Sequence, residues 1–237
     1  MVLAAGLVCA VFAAARSTWS PCGLSMLSTI TPFGEKGRGH RYWVTASWFV
    51  AGSVVGGLTL GSVCALLAAV LGPGPLVVAS VFALVAAAVD AGVFGSVLPL
   101  IRRQVDDRWL SRYRPWLYGS GFGWQVGVGV ATYLMTAAVL LICLLAVLSG
   151  SWVTALSICG AFGLARGLTV FLTAFASTPA ALRSLHGRLD RWGPPVRWSV
   201  VAVQVASAVV LGPLVAWAAV IVALAVVRLA FSLRPAS

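Results

Sequence analysis

Trp19-Ser20-Pro21-Cys22-Gly23-Leu24-Ser25-Met26 interrupts an apolar run that extends from Val2 to Ile30. Proline has no backbone N–H and its ring clashes with the preceding turn, so a helix through this stretch breaks at Pro21 and loosens further at Gly23. In hydrocarbon, the polar backbone freed by such a break is tolerated only where protein or a water-lined cavity satisfies it. The break therefore marks the place of a site, with the thiol of Cys22 at the start of the resumed helix, where amide donors favour a thiolate. The alternative for Cys22 is simple packing against a neighbour. Arg16, six positions earlier, either adds positive charge to the break or snorkels toward an interface.

The rest of the chain has the composition of a bilayer protein. Of 237 residues, 61% are hydrophobic and 9% charged, and the mean hydropathy is +1.02, which excludes a water-soluble globule. Six apolar runs meet the roughly 20 residues that a hydrocarbon core of about 30 Å demands. They are Val2 to Ile30, Tyr42 to Leu71, Pro75 to Ile101, Pro115 to Leu148, Trp152 to Ser177 and Trp198 to Val227. The expected fold class is an all-α polytopic membrane protein with six transmembrane helices in a single integral membrane domain, residues 1–237. Ala13-Ala14-Ala15 imitates a signal-peptide cleavage site, but the basic n-region is absent and cleavage would remove half of the first span, so retention is expected.

The net charge of +11 comes from connecting segments. Lys36, Arg38 and Arg41 lie between spans one and two; Arg102, Arg103, Arg108, Arg112 and Arg114 between three and four; Arg183, Arg188, Arg191 and Arg197 between five and six. Gly72-Pro73-Gly74 and Ser149-Gly150-Ser151 carry no charge. The positive-inside rule makes the basic segments cytoplasmic and both termini extracytoplasmic, with Arg228 and Arg234 as a small count against. The expected location is the plasma or inner membrane. Anionic lipid is the only partner the charge itself implies, and nucleic acid is not one.

This loop pattern divides the chain into halves of three spans, approximately residues 1–101 and 115–229, joined by the basic loop 102–114. An odd number of spans per half forces inverted topology, and such repeats place functional groups where broken helices meet near the midplane. Span four would then echo span one. Gly119, Gly121, Gly123, Gly127 and Gly129 stud its start, and Gly123 and Gly127 are the expected helix-break positions there.

At these places the chain resembles the CcdA-like family, the cytochrome c biogenesis transmembrane proteins related to the membrane domain of the DsbD reductase. Ser20-Pro21-Cys22 is similar to the Pro-Cys of that family's first helix. Gly121-Phe122-Gly123-Trp124 resembles a fourth-helix Gly-Phe-Gly-Trp-Thr-Pro-Cys, but Gln125-Val126-Gly127 follows and glycine holds the place of the second cysteine. Gly163-Leu164-Ala165-Arg166-Gly167-Leu168-Thr169-Val170-Phe171-Leu172 is similar to the family's fifth-helix glycine stretch, with an arginine and without its proline. The resemblance spans nearly the whole chain. It implies thiol/disulfide electron transfer, or assembly of an extracytoplasmic redox protein, with a cytoplasmic thioredoxin-like reductant and an extracytoplasmic thiol protein as partners.

That chemistry requires a second thiol to resolve the mixed disulfide, so either another cysteine substitutes or the redox cycle is altered or lost. Cys9, Cys64, Cys143 and Cys159 all lie in apolar runs without Cys-x-x-Cys spacing. Packing is the default for them, and Cys159 is the candidate partner for Cys22. Two alternatives stay open: a small-solute or ion transporter of the same architecture, and a non-catalytic membrane scaffold subunit.

Asp90 and Arg166 interrupt apolar runs. A bilayer charge costs at least about 2.5–3.5 kcal/mol unless paired or hydrated. A pair of Asp90 with Arg166, or of Asp90 with Arg16, is therefore expected, either as a structural pin or as part of a relay. Gln125 and Gln204 are weaker candidates for the same network, or interhelical glue. Gly52-x-x-x-Gly56, Gly57-x-x-x-Gly61, Gly123-x-x-x-Gly127 and Gly163-x-x-x-Gly167 have the spacing of helix seams within one chain. The Pro32 to His40 segment reads as a solvated basic turn, since it lacks the spacing of a nucleotide loop. His40 and His186 lie in different connecting segments, so no metal and no other cofactor is indicated. No nucleophile elbow or hydrolytic carboxylate pair occurs, and Asp106-Asp107 among arginines reads as a solvated cluster.

Overall fold

The computed structural model describes residues 1–95, 113–130 and 132–212, and every regular element among the described residues is helical. The linker arginines 102 to 112, Asp106-Asp107 and the distal half of the sixth apolar run lie outside the described residues.

The first apolar run forms α1 (Val2–Ser17) and α2 (Pro21–Thr29), bent by 68° across the Thr18–Ser20 turn. Ser20 caps α2 by accepting a hydrogen bond from the Gly23 amide at 3.2 Å. Pro21 occupies the first turn, where a missing N–H costs no intrahelical bond. Gly23 is required by space: a Cβ there would lie 2.4 Å from the Thr18 carbonyl oxygen, so the bend depends on its absence.

After a short α3 (Pro32–Gly37), the 30-residue α4 (Tyr42–Leu71) runs the depth of the molecule, roughly 45 Å at 1.5 Å per residue. Then follow α5 (Leu76–Asp90), α6 (Pro115–Val128), α7 (Ala138–Leu148), α8 (Trp152–Leu168) with a 3₁₀ turn (Thr169–Thr173), and α9 (Pro179–Leu211). Among the described residues three helices, α4, α8 with its 3₁₀ turn, and α9, are long and apolar enough to cross a membrane, or four if the bent α1–α2 pair is one span. The α5 and α7 helices are apolar but shorter.

Helix α4 is clasped between α6 and α8. A Cβ at Gly52 would lie 2.1 Å from the Ser120 carbonyl oxygen, and one at Gly57 2.4 Å from that of Cys159. Ser53 donates to the Gly163 carbonyl at 2.7 Å, fixing the register of the seam. A second apolar core lies beneath, where α1, α5, α7, α8 and α9 bury Ala10, Ala14, Ala83, Leu141, Leu145, Ile158 and Ala208.

Two local expectations change. Gly123 and Gly127 are not at a break: both lie inside α6, where their missing side chains let the Phe49 and Ser53 carbonyls of α4 approach within 2.1 Å of a Cβ position. The interruption comes just after them, at Gly129, whose φ of 69° ends α6, and α7 resumes only at Ala138. The basic segment before the sixth apolar run is not a loop either. Thr178 caps a helix by accepting from the Ala181 amide, Pro179 follows, and α9 continues through Pro194 and Pro195. Arginine is a good helix former, so charge alone did not mark a loop.

Candidate functional site

The interruption after α6 and the end of α5 meet at Asp90. The Asp90 Oδ1 accepts from the Ala137 amide at 2.9 Å, and Oδ2 from the Thr136 hydroxyl at 2.6 Å and the Gln204 amide at 2.8 Å. The carboxylate thus caps the first turn of α7 from a neighbouring helix, where donors are otherwise orphaned. Arg197 of α9 closes the opposite terminus: its Nε donates to the Asp90 carbonyl at 2.6 Å, at the C-terminal end of α5. Gly92, at φ 78°, makes this possible, since a Cβ there would lie 2.7 Å from an Arg197 Nη. Arg16, Asp90 and Arg197 line a cavity of about 360 Å³ with Val89, Gly92, Gly95 and Met135.

The second feature is Arg166, 3% exposed within α8. One Nη donates to Ser20 Oγ at 3.3 Å, the guanidinium stands 6.0 Å from the centre of the Phe162 ring, and Nε has no partner among the described residues. It faces the α1–α2 break. Trp19 of the same break donates from its indole to the Leu189 carbonyl at 3.0 Å, tying α9 to it.

The expected Asp90 to Arg166 pair is therefore not formed: Asp90 is held at the start of α7 and Arg166 at Ser20. Arg16 is the arginine that shares a cavity with Asp90, and Gln204 belongs to that network. Among the described residues no hydrogen bond joins Gln125 to the Asp90 carboxylate. Cys159 is placed with Cys64 and Cys143, all three packed in one apolar cluster. Among the described residues no disulfide joins the cysteines.

One group escaped the sequence reading. Glu35, 0% exposed, sits in α3 and not in a solvated turn. Its Oε1 accepts from Arg38 at 2.6 Å, and its Oε2 from Thr45 at 2.6 Å; the Tyr118 hydroxyl lies 2.8 and 2.7 Å from the two oxygens. One carboxylate so joins α3, α4 and α6. The available signal was Thr31 before Pro32, an N-cap followed by proline at the first helical position, where the Thr31 hydroxyl accepts from the Gly34 amide at 2.9 Å.

Fold and site together define a helical membrane protein whose interior charges gather at two interrupted helices. The chain is similar to the methylamine utilization protein MauF of Paracoccus versutus, 30% identical over 181 residues, 73% of this chain and 65% of the relative. It is 32% identical to MauF of Paracoccus denitrificans over 164 residues, 67% of this chain and 59% of the relative. With MauF of Methylophilus methylotrophus it shares 31% over 187 residues, 74% of this chain and 63% of the relative. The chain spans somewhat less than two thirds of the length of these curated relatives. No family model matches it. No solved structure matches it either.

These relatives overturn the resemblance to the CcdA-like family and, with it, thiol/disulfide electron transfer or cytochrome c biogenesis as the function. The three short motifs that carried it have other causes here. Pro21 and Gly23 shape a turn, Gly123 and Gly127 admit α4, and the glycines around Arg166 pack on Ser53, Val50 and Gly57. The transporter and scaffold alternatives gain no support from the relatives.

Proposed function

We propose that this chain is an integral plasma-membrane component of methylamine utilization, the process for which its relatives are named. The observation that carries the reading is the similarity to MauF across about three quarters of the chain. We further propose six spans in two inverted halves, with both termini extracytoplasmic. Two observations support that arrangement: the first and fourth apolar runs are each interrupted, α1 from α2 and α6 from α7, and the two uncharged hairpins lie together, the Gly74 amide donating to the Leu148 carbonyl at 3.0 Å.

Within this reading Arg166 and Asp90 are working groups of the protein interior. A buried guanidinium with an unpartnered Nε among the described residues is costly, and a similarly shaped apolar side chain is often neutral or stabilising in such a place. Deleting the gene in its native host should abolish growth on methylamine as the sole nitrogen source and spare growth on ammonium. A plasmid copy should restore growth, whereas Arg166→Met and Asp90→Asn, accumulating in the membrane at parental levels, should not. Undiminished growth of the deletion strain on methylamine would refute the assignment.

A further inference from the structure

We propose that the cavity between Arg16 and Arg197 is a binding site for a phosphate oxyanion. Among the described residues its charged lining is two guanidiniums and one carboxylate. That carboxylate is already occupied: Ala137, Thr136 and Gln204 give it three donors. Arg197 commits its Nε to the Asp90 carbonyl, which leaves the Nη edge for a ligand. Arg16 approaches from α1, and the charges of Asp90 and Arg197 both act on it. The balance left facing the cavity is cationic, so an organic ammonium ion is repelled and an anion attracted.

The shape selects among anions. A volume of about 360 Å³ is roughly an order of magnitude above the share of one water molecule, and holds a group of several heavy atoms. Planar guanidinium forks match the paired oxygens of phosphate or carboxylate. Trp198, beside Arg197 and 57% exposed, has its ring 5.9 Å from that guanidinium. Exposed tryptophans concentrate at the level of lipid headgroups, which sets the cavity where phosphate is abundant. The phosphate belongs either to an anionic phospholipid headgroup or to free inorganic phosphate. This inference does not rest on the assignment to methylamine utilization.

The test uses the full chain purified in neutral detergent. Phosphatidylglycerol retention is counted by native mass spectrometry, and inorganic phosphate binding is titrated calorimetrically at constant ionic strength. One tightly held phosphate group per chain is expected. Arg16→Gln should weaken it about tenfold or more, the scale of one charge-assisted hydrogen bond. Arg197→Lys, which keeps the charge but loses the fork, should weaken it in the same direction. Arg188→Gln, on the exposed part of α9, should leave it unchanged. Retention of lipid without phosphate binding identifies the headgroup; phosphate binding that displaces lipid identifies the soluble ion, and either supports the site. Equal binding by parent and Arg16→Gln in both arms overturns it, as does absence of binding in both.

Discussion

Glu35 shows how much one side chain can organise in this molecule. It is the only acid of its segment, surrounded in sequence by Lys36, Arg38 and Arg41, and by charge alone it belongs in solvent. The fold instead encloses it, because α3 turns one carboxylate oxygen toward Thr45 and Tyr118 and brings Arg38 one turn later onto the other. Breaking a buried, hydrogen-bonded ion pair from one side leaves a charge and two hydroxyls poorly matched, at a cost of about 3 kcal/mol. Glu35→Ala should therefore lower the melting temperature in detergent markedly. Glu35→Gln, which keeps the size and one acceptor, should lower it less, and melting unchanged in both variants would remove Glu35 from the framework. Asp90 and Arg166 stood out in the sequence because a charge in an apolar run has no inexpensive explanation. Apart from Gln204, the groups they meet were not legible, since partner choice depends on where two helices stop. Glu35 was hidden for the converse reason: in a polar segment a charge attracts no notice.

Between elements, the dominant contact is backbone against backbone. The small-residue spacings marked seams but not partners, and the structure assigns them: Gly52 and Gly56 to α6, Gly57 and Gly61 to α8, with Gly123, Gly127 and Gly163 answering from the other side. Dispersion falls steeply with separation, so these contacts exist only because no Cβ intervenes. Gly57→Val or Gly123→Val should abolish a monodisperse peak in detergent size exclusion, because backbone oxygens 2.4 and 2.1 Å from the new Cβ have nowhere to move. Gly37→Ala, with nothing within 4 Å, should elute as the parent does. A parental profile for Gly123→Val would mean that the α4–α6 seam is not as close as described. The break at Pro21 was readable because proline acts locally. That at Gly129 was not separable from its neighbours, because five glycines look alike in sequence and only their packing distinguishes a seam from a turn. The helical start of α9 was missed for a related reason: the arginine-bearing stretch from Arg183 to Arg197 satisfies both a solvated helix and a loop, and the Thr178-Pro179 cap decides between them.

For the molecule as a whole, the distribution of charge and the geometry of the ends point the same way. The Gly72–Gly74 and Ser149–Ser151 hairpins touch, with Gly150 packed on Pro73, and neither carries a charge. Helix α4 separates the first hairpin from Arg41 by its full length, so the basic residues before it lie at the far end, where Ser28 also meets His186 of α9 at 3.2 Å. Short basic segments stay on the cytoplasmic side because translocating them is unfavourable, so the touching hairpins should face outward. The native thiols suit a labelling test: Cys9, Cys22, Cys64 and Cys159 are buried and Cys143 is half-buried, which keeps background low. Pro73→Cys and Gly37→Cys place new thiols at exposed positions on opposite ends. On intact cells a membrane-impermeant maleimide should label Pro73→Cys and leave Gly37→Cys unreacted, and permeabilisation should expose both. The opposite pattern would invert the molecule in the bilayer and would carry the Arg16–Arg197 cavity to the other leaflet's side.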